Sequence, residues 1–325
     1  MNCTGDDISD SVVPSGNTSF AGVYVEDNQW IYSQMNHHYL WREDLPDSIS
    51  CDYLLDPVSF FKSLLSHRDR FSYCEHNEHY SGVTRGIDDI LYPTSVLCDS
   101  IYSVDQHRIG YLCYRSYNDI EELTPVMRRF YEAKVTDMIL DLRYNGGGYI
   151  STCQYLCSSV VPENAYGKLF EYLQYNDVVT QERIKRGQEG TYSYYFKTAT
   201  DGRPTLGPQL YGIRLNRLFV LTSRNTASAS ESTIVCLKPY MKVITIGEQT
   251  TGKGVGMETL YDRRYKYQLV PITFQYYNSQ GETVPEEGLM PDILVEGGLE
   301  VSRSLIGNRE ELLLKEALSL ILSDR

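Results

Sequence analysis

The sequence predicts an α/β fold built on a parallel sheet. Three observations carry the prediction. From Arg108 onward, short apolar runs alternate with amphipathic stretches, the pattern of βαβ units. Some of these runs, such as "VTDMILDLRYN" (135–145) and "RLFVLTSRN" (217–225), are mostly apolar and end in polar residues, as buried strands do. Glycines or small hydroxyl residues then lead directly into helical patterns, in "GGGYISTCQYLCSSVV" (146–161) and "TASASESTIVCL" (226–237).

Bulk composition agrees. A chain of 325 residues buries a substantial core and accommodates one to three domains. With 42% hydrophobic and 22% charged residues, wholesale disorder is excluded. A net charge of −13 and a pI near 5.0 argue against nucleic acid and anionic lipid as partners, because both need clustered Lys and Arg. Tyr outnumbers Phe by 28 to 9, which suits half-wet hairpin faces or a peptide groove. No run approaches the roughly 18 apolar residues of a membrane-spanning helix.

Residues 1–20 are polar and read as a disordered tether with no apolar signal core. Cys3, followed by small and acidic residues, resembles the start of a mature bacterial lipoprotein. The expectation is a lipid anchor at Cys3 and a place in the cell envelope, periplasmic or surface, with the signal peptide trimmed. Residues 21–104 read as an N-terminal helical region. "NQWIYSQMNHHYLW" repeats apolar residues at helical spacing, and "DPVSFFKSLLSH" opens with Asp before Pro, a sound helix start. The stretch from His67 to Gln106 reads as irregular. Cys74, His76 and His79 lie in it, but their spacing matches no zinc motif, so no metal is expected. The eight cysteines form no CxxC pair, and Cys113 and Cys236 sit in apolar runs as small core residues.

Residues 105–300 read as the main domain. Its strands are "RIGYLCYRS", the two buried runs above, "KVITIGEQ", "RYKYQLVPITFQYYNSQG" and "PDILVEG"; "NDIEELTPVMRRFYEAK" is its clearest amphipathic helix. Within it, 162–216 reads as a Tyr-rich hairpin insertion, with "KLFEYLQYND" and "TYSYYFKTA" flanking the polar "RIKRGQEG". Residues 301–325 hold a C-terminal amphipathic helix.

Two stretches bear chemistry. In "ILDLRYNGGGYIS" three glycines follow a buried strand and precede a helix, a geometry that exposes backbone N–H groups to an anion or oxyanion; a plain tight turn reads equally well. In the second, Ser228-Ala229-Ser230-Glu231 forms a capping box, so Ser228 reads first as a helix N-cap. The same position, at the carboxyl edge of a sheet, also suits a nucleophile, with Ala229 N–H free beside it. A nucleophilic Ser needs a base. All six His precede the sheet segments around Ser228, and no GxSxG elbow is present, which disfavours a Ser-His-Asp triad. Lys253 in "QTTGKGVG" is the alternative base, provided that burial keeps it neutral; otherwise it is an exposed loop residue.

Together, "LDLRYNGGG", "TASASE" and "GEQTTGKG", in this order, resemble the C-terminal processing (tail-specific) peptidases, which use a Ser-Lys dyad. "GLMPDILV" and "DPVSFFKSLLSHRDRFSY" extend the resemblance over about residues 28–296. It implies a ClpP/crotonase-like core sheet with helices, Ser228 as nucleophile and Lys253 as general base. It also implies an oxyanion hole from Gly147 (or Gly146) and Ala229, with Glu231 and Glu248 in support, and no cofactor. The implied partner is a polypeptide substrate. Two departures stand out. Only about 25 residues separate Gly82 from Gly110, too few for the roughly 80–100 residues of the family's PDZ domain. Met257 stands four positions after Lys253, where many members carry a Gln that orients the lysine. Both departures leave open a non-catalytic peptide- or ligand-binding protein that kept the fold, and an acyl-CoA enzyme of crotonase type ranks behind it.

Overall fold

Alternation along the strands divides the core in two. The computed structural model describes residues 23–76, 94–203, 206–264, 266–298 and 305–323. Its strands are β1 (Tyr73–His76), β2 (Val96–Val104), β3 (His107–Tyr114), β4 (Asp137–Asp141), β5 (Leu169–Tyr175), β6 (Tyr192–Tyr195), β7 (Arg217–Thr222), β8 (Lys242–Gly247), β9 (Val255–Met257), β10 (Leu260–Tyr261), β11 (Tyr267–Val270), β12 (Ile272–Asn278) and β13 (Ile293–Leu294). Its α-helices are α1 (Val25–His38), α2 (Pro57–Ser63), α3 (Ile120–Glu132), α4 (Ile150–Val160), α5 (Asp177–Lys185), α6 (Ala229–Leu237) and α7 (Leu312–Ser323).

The main sheet has the order β13-β8-β7-β4-β3-β2, parallel throughout except for the edge strand β2. Leu112, Met138, Leu140, Leu218 and Val220 point to one face, into a core shared with α3, α4 and α6. The residues between them, Tyr111, Cys113, Ile139, Phe219 and Leu221, point to the other face and meet α7. Helices cover both faces, so the middles of these strands carry apolar residues on both sides. Helix α3 matches its prediction: Leu123, Val126, Met127 and Phe130 are buried at helical spacing, and Asp119 caps it by accepting from Glu121 N–H.

A buried ion triad locks α7 to the sheet. Arg143, fully buried just after β4, donates to Asp141 at 2.6 and 2.9 Å, to Glu311 at 2.8 and 3.2 Å, and to Gly298 O at 2.8 Å. Glu311 also accepts from Leu313 and Leu314 N–H at the start of α7. Every donor of the guanidinium edge finds an acceptor, the condition under which a buried charge is tolerated.

A second, antiparallel sheet has the order β6-β5-β12-β9. It corrects the hairpin reading of 162–216 in two ways. Strands β5 and β6 do pair, but β5 also pairs with β12, so the insertion is built into a sheet. Between β5 and β6 lies the helix α5, which takes in the start of the polar tip and is capped by Asn176 accepting from Val179 N–H at 3.0 Å. None of its residues is buried, so no apolar stripe marked it in the sequence.

The third sheet, β1-β11-β10, packs on the N-terminal helices through Ile31, Met35, Phe60, Phe61, Leu64 and Leu269. Helix α2 begins as expected, with Pro57 in its first turn and Asp56 accepting from Ser59 N–H. The stretch from His67 to Gln106 is not wholly irregular, since it contains β1 and β2. Strand β1 is four residues long and its partner is Tyr267–Val270, far away in sequence; β2 is a half-exposed edge. Neither leaves a periodic apolar face to read. The main sheet therefore starts at Val96, ahead of the expected boundary at 105. Residues 1–20 with Cys3, and His79, lie outside the described residues. Cys74 is buried in the N-terminal core, and among the described residues no group of three or more His, Cys, Asp or Glu is placed to hold a metal. The described cysteines are all free.

Glu311→Ala would leave the buried Arg143 half-paired and strip the cap from α7. The unfolding free energy is expected to drop by about 3–5 kcal/mol, read from urea denaturation; a loss below about 1 kcal/mol would show that the triad is not holding the helix.

Candidate active site

Loops from the carboxyl ends of β3, β4, β7 and β8 meet at one place, as parallel strands require. Asn145, just after β4, stitches them together. Its amide donates to Tyr114 O at the end of β3, and its carbonyl O accepts from Ala227 N–H and Ser230 Oγ. Thr226 Oγ1 and Ser223 Oγ add bonds to Leu142 O and Arg143 O.

Between β7 and α6 stands Ser228, with φ 55° and ψ −118°. For a residue with a side chain this backbone costs of order 1–3 kcal/mol, and it persists only where its surroundings impose it. Gly147 is part of those surroundings. It has φ +109°, and a Cβ there would lie 2.8 Å from Ser228 Cβ and 3.1 Å from Ala229 N. Only glycine lets the two turns come so close.

Glu231 is the centre of the arrangement. Its fully buried carboxylate accepts from Ser228 N–H (2.9 Å), Lys253 N–H (2.8 Å), Gly252 N–H (2.8 Å) and Thr250 Oγ1 (2.5 Å). Glu231 thus makes its half of the capping box read from the sequence, at the start of α6, and it also reaches a second loop, 250–253, which follows β8. Tyr276 of β12 binds the same two segments from outside: its hydroxyl lies 3.1 Å from Ser228 O and 3.0 Å from Lys253 O. Gly252, with φ +82°, fits against the 285–288 turn, where a Cβ would come within 2.1 Å of Glu286 O. Arg70 ties that turn to the N-terminal region by donating to Gly252 O and Glu286 O.

The Lys253 side chain is half-buried. Its Nζ lies 3.9 Å from Met257 Sδ and 5.1 Å from the centre of the Phe71 ring. Burial lowers its pKa; Glu231 and Asp69, nearby acids, oppose the shift without cancelling it. Met257 thus contacts the amine through a thioether, a weak acceptor that leaves the nitrogen only loosely held. Ser228 and Lys253 line one groove of about 1290 Å³, and among the described residues no hydrogen bond joins Ser228 Oγ to Lys253 Nζ.

The glycine turn lines the same groove. Gly147 N–H donates to Asn145 Oδ1 at 2.9 Å, whereas Gly146 N–H and Ala229 N–H have no acceptor among the described residues. Glu248 is placed elsewhere. Its Oε1 accepts from Gly297 N–H at 3.2 Å, bracing the segment after β13, and it does not line the groove. Support of Lys253 by Glu248 is therefore corrected: Glu231 alone of the two acids reaches the lysine loop. Sequence reasoning missed Asn145, Tyr276, Phe71 and Arg70. An Asn before a glycine turn is a turn signal and could have been read. The other three act through contacts distant in sequence and leave no local trace.

One parallel α/β sheet thus presents a strained serine turn and a half-buried amine along a single groove. Residues 108–295 match peptidase family S41, and residues 26–73 match the peptidase S41 N-terminal domain. The chain belongs to peptidase family S41. The carboxy-terminal-processing protease of Bartonella bacilliformis is 24% identical over 194 residues, 58% of this chain and 39% of that protein. The match thus spans well under half of that relative. Among solved structures, an S41 protease from Bacteroides fragilis superimposes with TM-score 0.75 at 21% identity, over 91% of this chain and 97% of that one. A lipoprotein from Streptococcus agalactiae gives TM-score 0.60 at 15% identity, over 93% and 97%. The fold is accordingly of the ClpP/crotonase-like peptidase kind. Among the described residues no helix is long and apolar enough to cross a membrane.

Glu231→Ala would strand three buried N–H groups and a hydroxyl. Unfolding free energy is expected to fall by at least about 3 kcal/mol, measured by urea denaturation, with Glu231→Gln intermediate because its amide NH₂ cannot accept. A loss under about 1 kcal/mol for the alanine variant would mean that the carboxylate does not hold the two loops together.

Proposed function

We propose that this chain is a serine endopeptidase of the tail-specific type, with Ser228 as nucleophile and Lys253 as general base. The observation that carries the reading is the double tie, through Glu231 and Tyr276, that fixes Ser228 and Lys253 on one groove. Neutral Lys253 Nζ removes the proton from Ser228 Oγ as Oγ bonds to the scissile carbonyl carbon. The carbonyl oxygen becomes an oxyanion, held by Ala229 N–H and a second N–H from the Gly146–Gly147 turn, a contribution of about 3–4 kcal/mol per donor. Gly146 N–H is open, and Gly147 N–H serves only by leaving Asn145. Lys253 then protonates the leaving amine as the C–N bond breaks. A water molecule, deprotonated by the same lysine, cleaves the acyl ester and restores Ser228. No step calls for a cofactor.

The substrate is an extended polypeptide. Strand β9, an edge of the second sheet, lines the groove with Val255, Gly256 and Met257, and so offers backbone pairing to a bound chain. Strain at Ser228 and burial of Lys253 favour this reading over a non-catalytic binder, which has use for neither.

Cleavage of an unfolded protein by the native chain, Ser228→Ala and Lys253→Ala, with cut sites mapped by mass spectrometry, tests the reading. Both variants are expected to lose at least about 10³-fold in rate. The native rate should rise with pH on a single titration, because only the neutral amine is a base. Burial places that midpoint below the ordinary lysine value of 10.5. Activity that survives both substitutions would overturn the mechanism.

A further inference from the structure

Beside Ser228 the groove contains an acid-lined pocket that the mechanism does not use. On α6, Ser232 follows Ser228 by about one turn. Opposite it, Glu171, Leu173 and Tyr175 alternate along β5 and therefore share a face, with Leu173 paired to Tyr276 and Tyr175 to Phe274 of β12. All of these residues line the groove, as does Glu258.

Among the described residues no cation is paired with either carboxyl. Glu171 is 2% exposed; its Oε2 accepts from Ser232 Oγ at 2.6 Å, and its Oε1 has no hydrogen-bond partner among the described residues. Glu258 is half-buried and accepts from Tyr175 OH, at 3.3 Å. Neither takes part in an ion pair among the described residues. The other titratable groups facing them, Tyr175 and Tyr194 from the second sheet, Tyr276 from β12 and Cys236 from α6, are phenols or a thiol and supply no cation. Lys253 Nζ is turned to Met257 and Phe71 instead. A carboxyl taken from water without a cation favours its neutral form. Burial raises Glu171 to about 7 and shifts Glu258 upward as well.

We propose that this pocket is the subsite for a lysine or arginine side chain of the substrate next to the bond that is cut. Its ammonium or guanidinium pairs with Glu171 and Glu258, and Leu173 and Phe274 pack along its methylenes. The inference rests on the reading that a polypeptide lies in the groove at Ser228. Pairing with a cation draws the proton off Glu171, so the preference for a basic side chain strengthens as pH rises through about 7.

The test is peptide binding to Ser228→Ala by fluorescence anisotropy at pH 8. It uses a series of extended peptides in which one position at a time is lysine or norleucine. Lysine is expected to bind about tenfold more tightly at one position. That preference should vanish in Ser228→Ala/Glu171→Gln, weaken in Ser228→Ala/Glu258→Gln, and shrink at pH 5. Norleucine binding as well as lysine at every position, or a lysine preference that both glutamine variants retain, would overturn the subsite. Incubating the native chain with the tightest lysine peptide separates this from the catalytic reading: a preference that holds without cleavage supports the pocket and removes the peptidase mechanism.

Discussion

One buried carboxylate organises this site. Ser228 and Lys253 come from loops that follow different strands, β7 and β8, and the parallel pairing of those strands only brings the loops near each other. Glu231 turns nearness into geometry by accepting from both backbones at once. A carboxylate suits the position because it accepts at both oxygens, while an amide would present a donor to a cluster of donors. Its charge needs no buried cation. The N–H groups of Ser228, Gly252 and Lys253 surround it, and it sits at the positive start of α6. The strained backbone of Ser228 is then affordable, because the bonds to Glu231 and the close approach of Gly147 impose it.

The proton chemistry of the lysine follows from what surrounds it. Burial pushes the amine toward neutrality and two acids pull it back, with burial prevailing. Phe71 and Met257 supply the low-polarity contacts. Phe71 and Arg70 lie in the region matched to the S41 N-terminal domain, so that domain forms part of the lysine's environment. In the same groove, Glu171 and Glu258 pair with no cation among the described residues.

Much of this was legible in the sequence because its signals are local. The central strands read as apolar runs since both sheet faces are covered, and α3 reads from its apolar stripe. The capping box marked Ser228 and Glu231 together, although it said nothing of the second loop that Glu231 reaches. The glycine turn was visible, but not that Asn145 holds Gly147 N–H. What escaped had no periodicity or lay far apart in the chain: α5 buries none of its residues and has no apolar stripe, β1 pairs across nearly two hundred residues, and Tyr276 is one tyrosine among 28. Glu248 rested on the resemblance alone, and no local signal showed that the strand end turns its carboxylate toward Gly297.

The proposed mechanism depends first on Ser228 being an activated nucleophile. The direct measurement is intact-mass and peptide mapping of the native protein after treatment with a fluorophosphonate, beside Lys253→Ala and Glu231→Ala. A single adduct is expected, on Ser228, formed much more slowly in both variants and faster in the native chain as pH rises. No adduct on Ser228, or an adduct that forms equally fast without Lys253, would contradict the mechanism.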